Sequence, residues 1–201
     1  MVSALKVFSR PTLPGGELQH GDVLAFYGTD WTSRVIELAT RGPSHVGIIV
    51  EHDGAPLVVE STTLCPWPCA ILGNRTSGVQ AHHWEDRILT YPGRIDRLRL
   101  APHWQLVPAE SAMLADLLLR HWIGRPYDLR GALISASKFF KLTRWMPYPD
   151  MSSQFCSELV AAVLMRINRM PIANPARYNP AGLIRALRAC GTYSAPVTIH
   201  Q

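Results

Sequence analysis

The chain has 201 residues, 47% of them hydrophobic and 17% charged, with a formal net charge of +5 and a pI near 9.3. That length and balance fill one core of ordinary domain size, which excludes global disorder. The basic residues are spread along the chain and form no arm or stripe, which argues against nucleic acid as a partner.

Residues 1–20 mix prolines, glycines and polar groups and lack the continuous apolar core of a secretory signal, so a cytoplasmic setting is expected, with export by another route left open. They read as an N-terminal extension. Residues 21–27 (Gly-Asp-Val-Leu-Ala-Phe-Tyr) open on a turn pair and continue as an apolar run, which predicts a buried strand. Residues 31–40 predict a short helix that Gly42-Pro43 breaks. Two β-branched runs, 45–50 and 57–61, flank His52-Asp53-Gly54-Ala55, and Asp-Gly between such runs predicts a β-hairpin. Residues 64–80 hold Pro66, Pro68, Gly73 and Gly78 and predict an irregular excursion.

Residues 88–91 and 94–100 predict two more strands joined by Pro92-Gly93, giving a sheet of five or six strands. Helices are expected over 109–123, where apolar residues recur at helical spacing, and over 129–142, 157–168 and 180–189. Asn179 is the expected cap of the last, with Pro180 at its first position. No repeat, low-complexity tract or run of about eighteen apolar residues occurs, so a membrane-spanning helix is not expected. The whole chain, 1–201, reads as a single α+β domain with an antiparallel sheet packed against helices, and 165–201 as a segment of unclear role.

The chemistry concentrates in Gln154-Phe155-Cys156-Ser157-Glu158-Leu159 and in Ser44-His45-Val46-Gly47-Ile48. Cys156 precedes an apolar, Ala-rich run, which predicts a thiol in the first turn of a helix, where unpaired N–H groups favour thiolate. A cysteine nucleophile needs a base, and the base needs a group that fixes its tautomer. If the hairpin closes over Asp53-Gly54, Gly47 faces Glu60, and Glu60 projects to the same face as His45. Glu60 stands in the otherwise apolar Leu57-Val58-Val59-Glu60, where a buried carboxylate is costly unless paired. Taken singly, a strand histidine is more often structural and a cysteine more often a small buried hydrophobe.

His45-Val46-Gly47-Ile48-Ile49-Val50, Val59-Glu60-Ser61 and Phe155-Cys156-Ser157-Glu158-Leu159-Val160 together resemble the circularly permuted branch of the NlpC superfamily, the YiiX- and YebB-like papain-fold hydrolases. The permutation is suggested by order: here the histidine strand precedes the cysteine helix. The resemblance implies Cys156 as nucleophile, His45 as general base and then acid, and Glu60 as the orienting group. It further implies Tyr127, in Gly124-Arg125-Pro126-Tyr127-Asp128, near the oxyanion site, with Ser157 as a second oxyanion or substrate-binding residue. The activity implied is thiol-dependent hydrolysis of a peptide, amide or acyl substrate, with no cofactor and no metal. Two rivals remain: an acyltransferase or deacylase acting on lipids, similar to lecithin retinol acyltransferase, and a binding module without catalysis.

Weaker patterns surround these residues. Cys65-Pro66-Trp67-Pro68-Cys69 with His82-His83 imitates four metal ligands, but the spacing is not that of a zinc finger and unpaired thiols are expected. Cys190 reads as packing, and Ser135-Ala136-Ser137-Lys138 as a chance match to Ser-x-x-Lys. Lys138-Phe139-Phe140-Lys141-Leu142-Thr143-Arg144-Trp145-Met146 interleaves cations and aromatics. It reads first as a helix end and second as a surface for peripheral membrane contact or for an acidic or lipid-like group.

Overall fold

A computed structural model describes residues 13–62, 65–125 and 152–201. The expected helix over 129–142 and the cation–aromatic stretch after it lie outside them. The described elements run β1 (Val23–Tyr27), α1 (Trp31–Thr40), β2 (His45–His52), β3 (Ala55–Thr62), β4 (Gly78–His83), α2 (Trp84–Leu89), β5 (Arg94–Leu98), α3 (Pro108–Asp116), α4 (Ser152–Arg166), α5 (Pro180–Ala189) and β6 (Val197–His200). The strands form one six-stranded sheet in the order β4-β3-β2-β1-β5-β6, every pairing antiparallel.

The β2–β3 hairpin has the register expected of it. Ile48 faces Val59 and His52 faces Ala55, closing over Asp53 and Gly54. Both turn residues have positive φ, 50° and 74°, the type I′ geometry whose twist matches the strands. Alternation then sorts the side chains. Val46, Ile48, Val50, Leu57, Val59, Val79 and Ala81 join Leu159, Val160, Val163 and Leu164 of α4 in one core. Leu24, Phe26, Ile49 and Val58 point the other way and pack with Trp84 and Ile88 of α2. Each such fully buried aliphatic side chain contributes about 1.5–3 kcal/mol.

Three expectations are corrected. Residues 88–91 are not a strand: Trp84 and Ile88, four apart, bury one face of a short helix, a spacing that a brief apolar run conceals. β4 begins inside the stretch 64–80 expected to be irregular and runs past it, and its alternation is hidden because Gln80 and His82, its polar face, are also buried. The helix over 109–123 is interrupted: α3 ends at Asp116 and a π-helical turn, Leu117–Trp122, follows.

The termini take part in the sheet and core. β6 pairs with β5 as an edge strand, with Thr198 Oγ1 donating to Asp96 at 2.7 Å. The expected cap of α5 is present, Asn179 Oδ1 accepting from the Gly182 N–H at 2.7 Å. Residues 13–20, expected as an extension, are tied down. Leu13 packs in the second core, and the Arg97 guanidinium donates to the Gly15 and Gly16 carbonyls at 2.6 and 2.8 Å. Among the described residues, no helix is long and apolar enough to cross a membrane.

Candidate functional site

His45 is the first residue of β2, at the end of the sheet. Its entry is set by Ser44, whose backbone N–H and hydroxyl both donate to the Phe26 carbonyl, at 3.0 and 3.2 Å. The imidazole packs against the Phe26 ring at 5.4 Å between centroids. Its Nε2 lies 2.7 Å from Glu60 Oε2. This is the partnership that alternation and hairpin register dictate.

Glu60 is fully buried, and taking a carboxylate out of water costs several kcal/mol unless its oxygens are bonded. The bonds come from α2. Arg87 Nη2 donates to Oε2 at 3.0 Å and its Nε donates to Oε1, the bidentate fork that suits a carboxylate. The guanidinium is held over the Phe26 and Tyr91 rings, 4.5 and 5.0 Å from their centroids. Burial alone would push the Glu60 carboxyl up; Arg87 and then His45 overturn this and hold it well below the usual carboxylate range.

Cys156 is fully buried in α4, the helix that covers the β2 and β3 face opposite α2. His45 pairs with Phe26 of β1 and lies beyond the last β2–β3 rung, Ile48 with Val59, and it is hydrogen-bonded to Cys156 as well as to Glu60. Because Nε2 serves Glu60, Nδ1 is the ring atom left for the thiol. Burial lowers the pKa of His45, but Cys156 and then Glu60 outweigh it and raise the imidazole well above its ordinary value.

The helix begins no later than Ser152, so Cys156 lies in its second turn and not in the first, as its sequence context suggests. Helical geometry then commits the Cys156 N–H to the carbonyl four residues back. Ser157 is buried with its hydroxyl donating to the Tyr178 carbonyl at 2.6 Å, and Tyr127 lies outside the described residues.

The approach of two further residues to Glu60, half-buried Arg87 and buried His82, escapes sequence reasoning. Arg87 does so because its segment borders a stretch that reads as strand; the signal available was Trp84 and Ile88 at helical spacing around Glu85-Asp86-Arg87. His82 does so because β4 is missed; its Nε2 lies 3.9 Å from Glu60 Oε1, and burial pulls its pKa down. The four-ligand pattern of Cys65, Cys69, His82 and His83 is not assembled. His83 is exposed and the Cys69 sulfur accepts from the Ala81 N–H at 3.4 Å, while Cys65 and His82 gather instead around Glu60.

No protein-family model and no curated protein matches the chain. Among solved structures, the chain is similar to the crystal structure of metalloprotein yiiX from Escherichia coli O157:H7, with a TM-score of 0.52 and 20% identity over 90% of this chain and 88% of that one. The likeness is one of fold, α+β with a six-stranded antiparallel sheet and helices of the YiiX type, and it agrees with the fold that the sequence motifs resemble.

Proposed function

We propose that the protein is a thiol-dependent hydrolase that cleaves an amide or ester bond through Cys156, His45 and Glu60. The observation that carries this reading is the unbroken chain of side chains from the Cys156 thiol through His45 and Glu60 to Arg87. A buried thiol that served packing alone would need no imidazole, and an imidazole that served packing alone would need no buried carboxylate with its own arginine.

In the reaction, His45 takes the Cys156 proton and the sulfur attacks the substrate carbonyl. The imidazolium then protonates the leaving amine or alcohol, and a thioester to Cys156 remains. Water, deprotonated by His45, attacks the thioester and releases the acid and the thiol. Glu60 keeps one ring tautomer throughout and stabilises the imidazolium, as the acid of a triad does. Arg87 keeps Glu60 ionised. A small peptide, amide or acyl substrate is the class proposed. The solved structure is named a metalloprotein; the steps above are carried by this protein's own groups.

The test is intact-mass and peptide-mapped labelling with iodoacetamide at graded pH, comparing wild type with Cys156→Ala, His45→Ala and Glu60→Gln. The expected result is an adduct on Cys156 that forms in mildly acidic solution and slows by about a hundredfold in His45→Ala, the scale of general-base assistance. Labelling of Cys156 that follows ordinary thiol titration and ignores His45 overturns the reading in favour of a binding module.

A further inference from the structure

A second set of donors shares Glu60. One Glu60 oxygen, the Cys65 sulfur and a His82 ring nitrogen lie within 4.8 Å of one another. His82 is 1% exposed, and neither of its ring nitrogens has a hydrogen-bond partner among the described residues. Leaving such a group unsatisfied is costly, so a buried imidazole without partners points to something that binds it. Its Nε2 stands 3.9 Å from Glu60 Oε1, too far for a hydrogen bond. Two nitrogen or oxygen donors each about 2.1 Å from a tetrahedral ion stand about 3.4 Å apart, so a shift of about half an ångström closes the Glu60–His82 pair, and the Cys65 sulfur has to move in with it.

We propose that Glu60, Cys65 and His82 form a site for a divalent cation of the zinc class, and that filling it displaces Arg87 from Glu60 Oε1, loosens the hold of Glu60 on His45 and slows the thiol chemistry. Thiolate, imidazole and carboxylate together select a borderline-soft ion over magnesium or calcium, and three protein ligands leave a fourth position open. Pro66 and Pro68 stiffen the loop that presents Cys65. The proton of Cys65 is released as the metal–sulfur bond forms.

Arg87 and His45 are the other groups on the same carboxylate, and Arg87 is the ion's competitor there. Binding exchanges one cationic partner of Glu60 for another, which makes the site weaker than a structural zinc centre and reversible. Occupation and His45 positioning are then linked with negative coupling. This coupling rests on the triad reading above, whereas the ion site does not.

The test uses the full chain, stripped with chelator and titrated with Co²⁺ and Zn²⁺. Wild type and Cys156→Ala are expected to bind one equivalent with a thiolate-to-cobalt charge-transfer band. Cys65→Ser is expected to lose the band and His82→Ala to bind at least tenfold more weakly. In wild type, Zn²⁺ is expected to protect Cys65 from alkylation, a readout that needs no variant to fold, and to slow labelling of Cys156. A band that survives Cys65→Ser, one that disappears in Cys156→Ala, or Cys65 left unprotected overturns the site. Zinc bound at Cys65 with Cys156 labelling unchanged overturns the coupling. Should Cys156 labelling ignore His45 while the band behaves as expected, the triad reading and the coupling fall and the ion site stands.

Discussion

Glu60 is the residue on which the site depends, because it holds a charge where none is affordable without Arg87. Arg87→Ala removes the fork and leaves a buried carboxylate with His45 as its main partner. We expect a loss of about 3–5 kcal/mol in urea unfolding, the cost of breaking a buried ion pair from one side. Arg87→Lys keeps the charge and loses the fork. In that variant the Glu60 pKa rises from its depressed value, so the acid limb of Cys156 labelling should move to higher pH. A merely structural arginine would lower stability without moving that limb. The partnership of His45 with Glu60 was legible in the sequence because hairpin register and strand alternation decide it. Arg87 and His82 were not, because each reaches Glu60 from another element, and no local pattern encodes that meeting.

At the scale of elements, the hairpin turn is the device that places Glu60 beside His45. Gly54 has φ of +74° with nothing within 4 Å of the position a Cβ would take. Gly54→Ala therefore costs backbone strain without a clash, about 1–2 kcal/mol, read as a lower urea midpoint with Cys156 labelling retained. Asn179→Ala removes the α5 cap and should cost about 1 kcal/mol. Asp-Gly, Asn-Pro and the apolar run of α4 made these elements readable, since turn and cap chemistry acts over a few residues. β4 was misread because its polar residues Gln80 and His82 are buried, so burial no longer tracks polarity, and α2 because an apolar face of two residues is too short to show its period.

Over the whole molecule, β6 covers the β5 edge and brings Ile199 into the second core. Deleting residues 194–201 should expose that edge, lower the melting temperature and produce self-association in size-exclusion chromatography. Acid should act through Glu60. Its folded pKa is depressed, so its contribution is complete above its unfolded value of about 4.3 and is lost as pH falls through the folded one. The stability gap between wild type and Glu60→Gln should hold at neutral pH and shrink in acid below that value, measured by urea unfolding across pH. By itself the sequence determined the hairpin with its register, the capped C-terminal helix, and a cysteine and a histidine suited to each other's chemistry, because turns, caps and alternation are local. Only tertiary structure decided that Cys156 lies in a second helical turn, that Arg87 anchors Glu60, and that Cys65 and His82 converge there. Those facts follow from how α2, β4 and α4 pack around the end of the sheet, and packing across distant segments leaves no periodic trace in the chain.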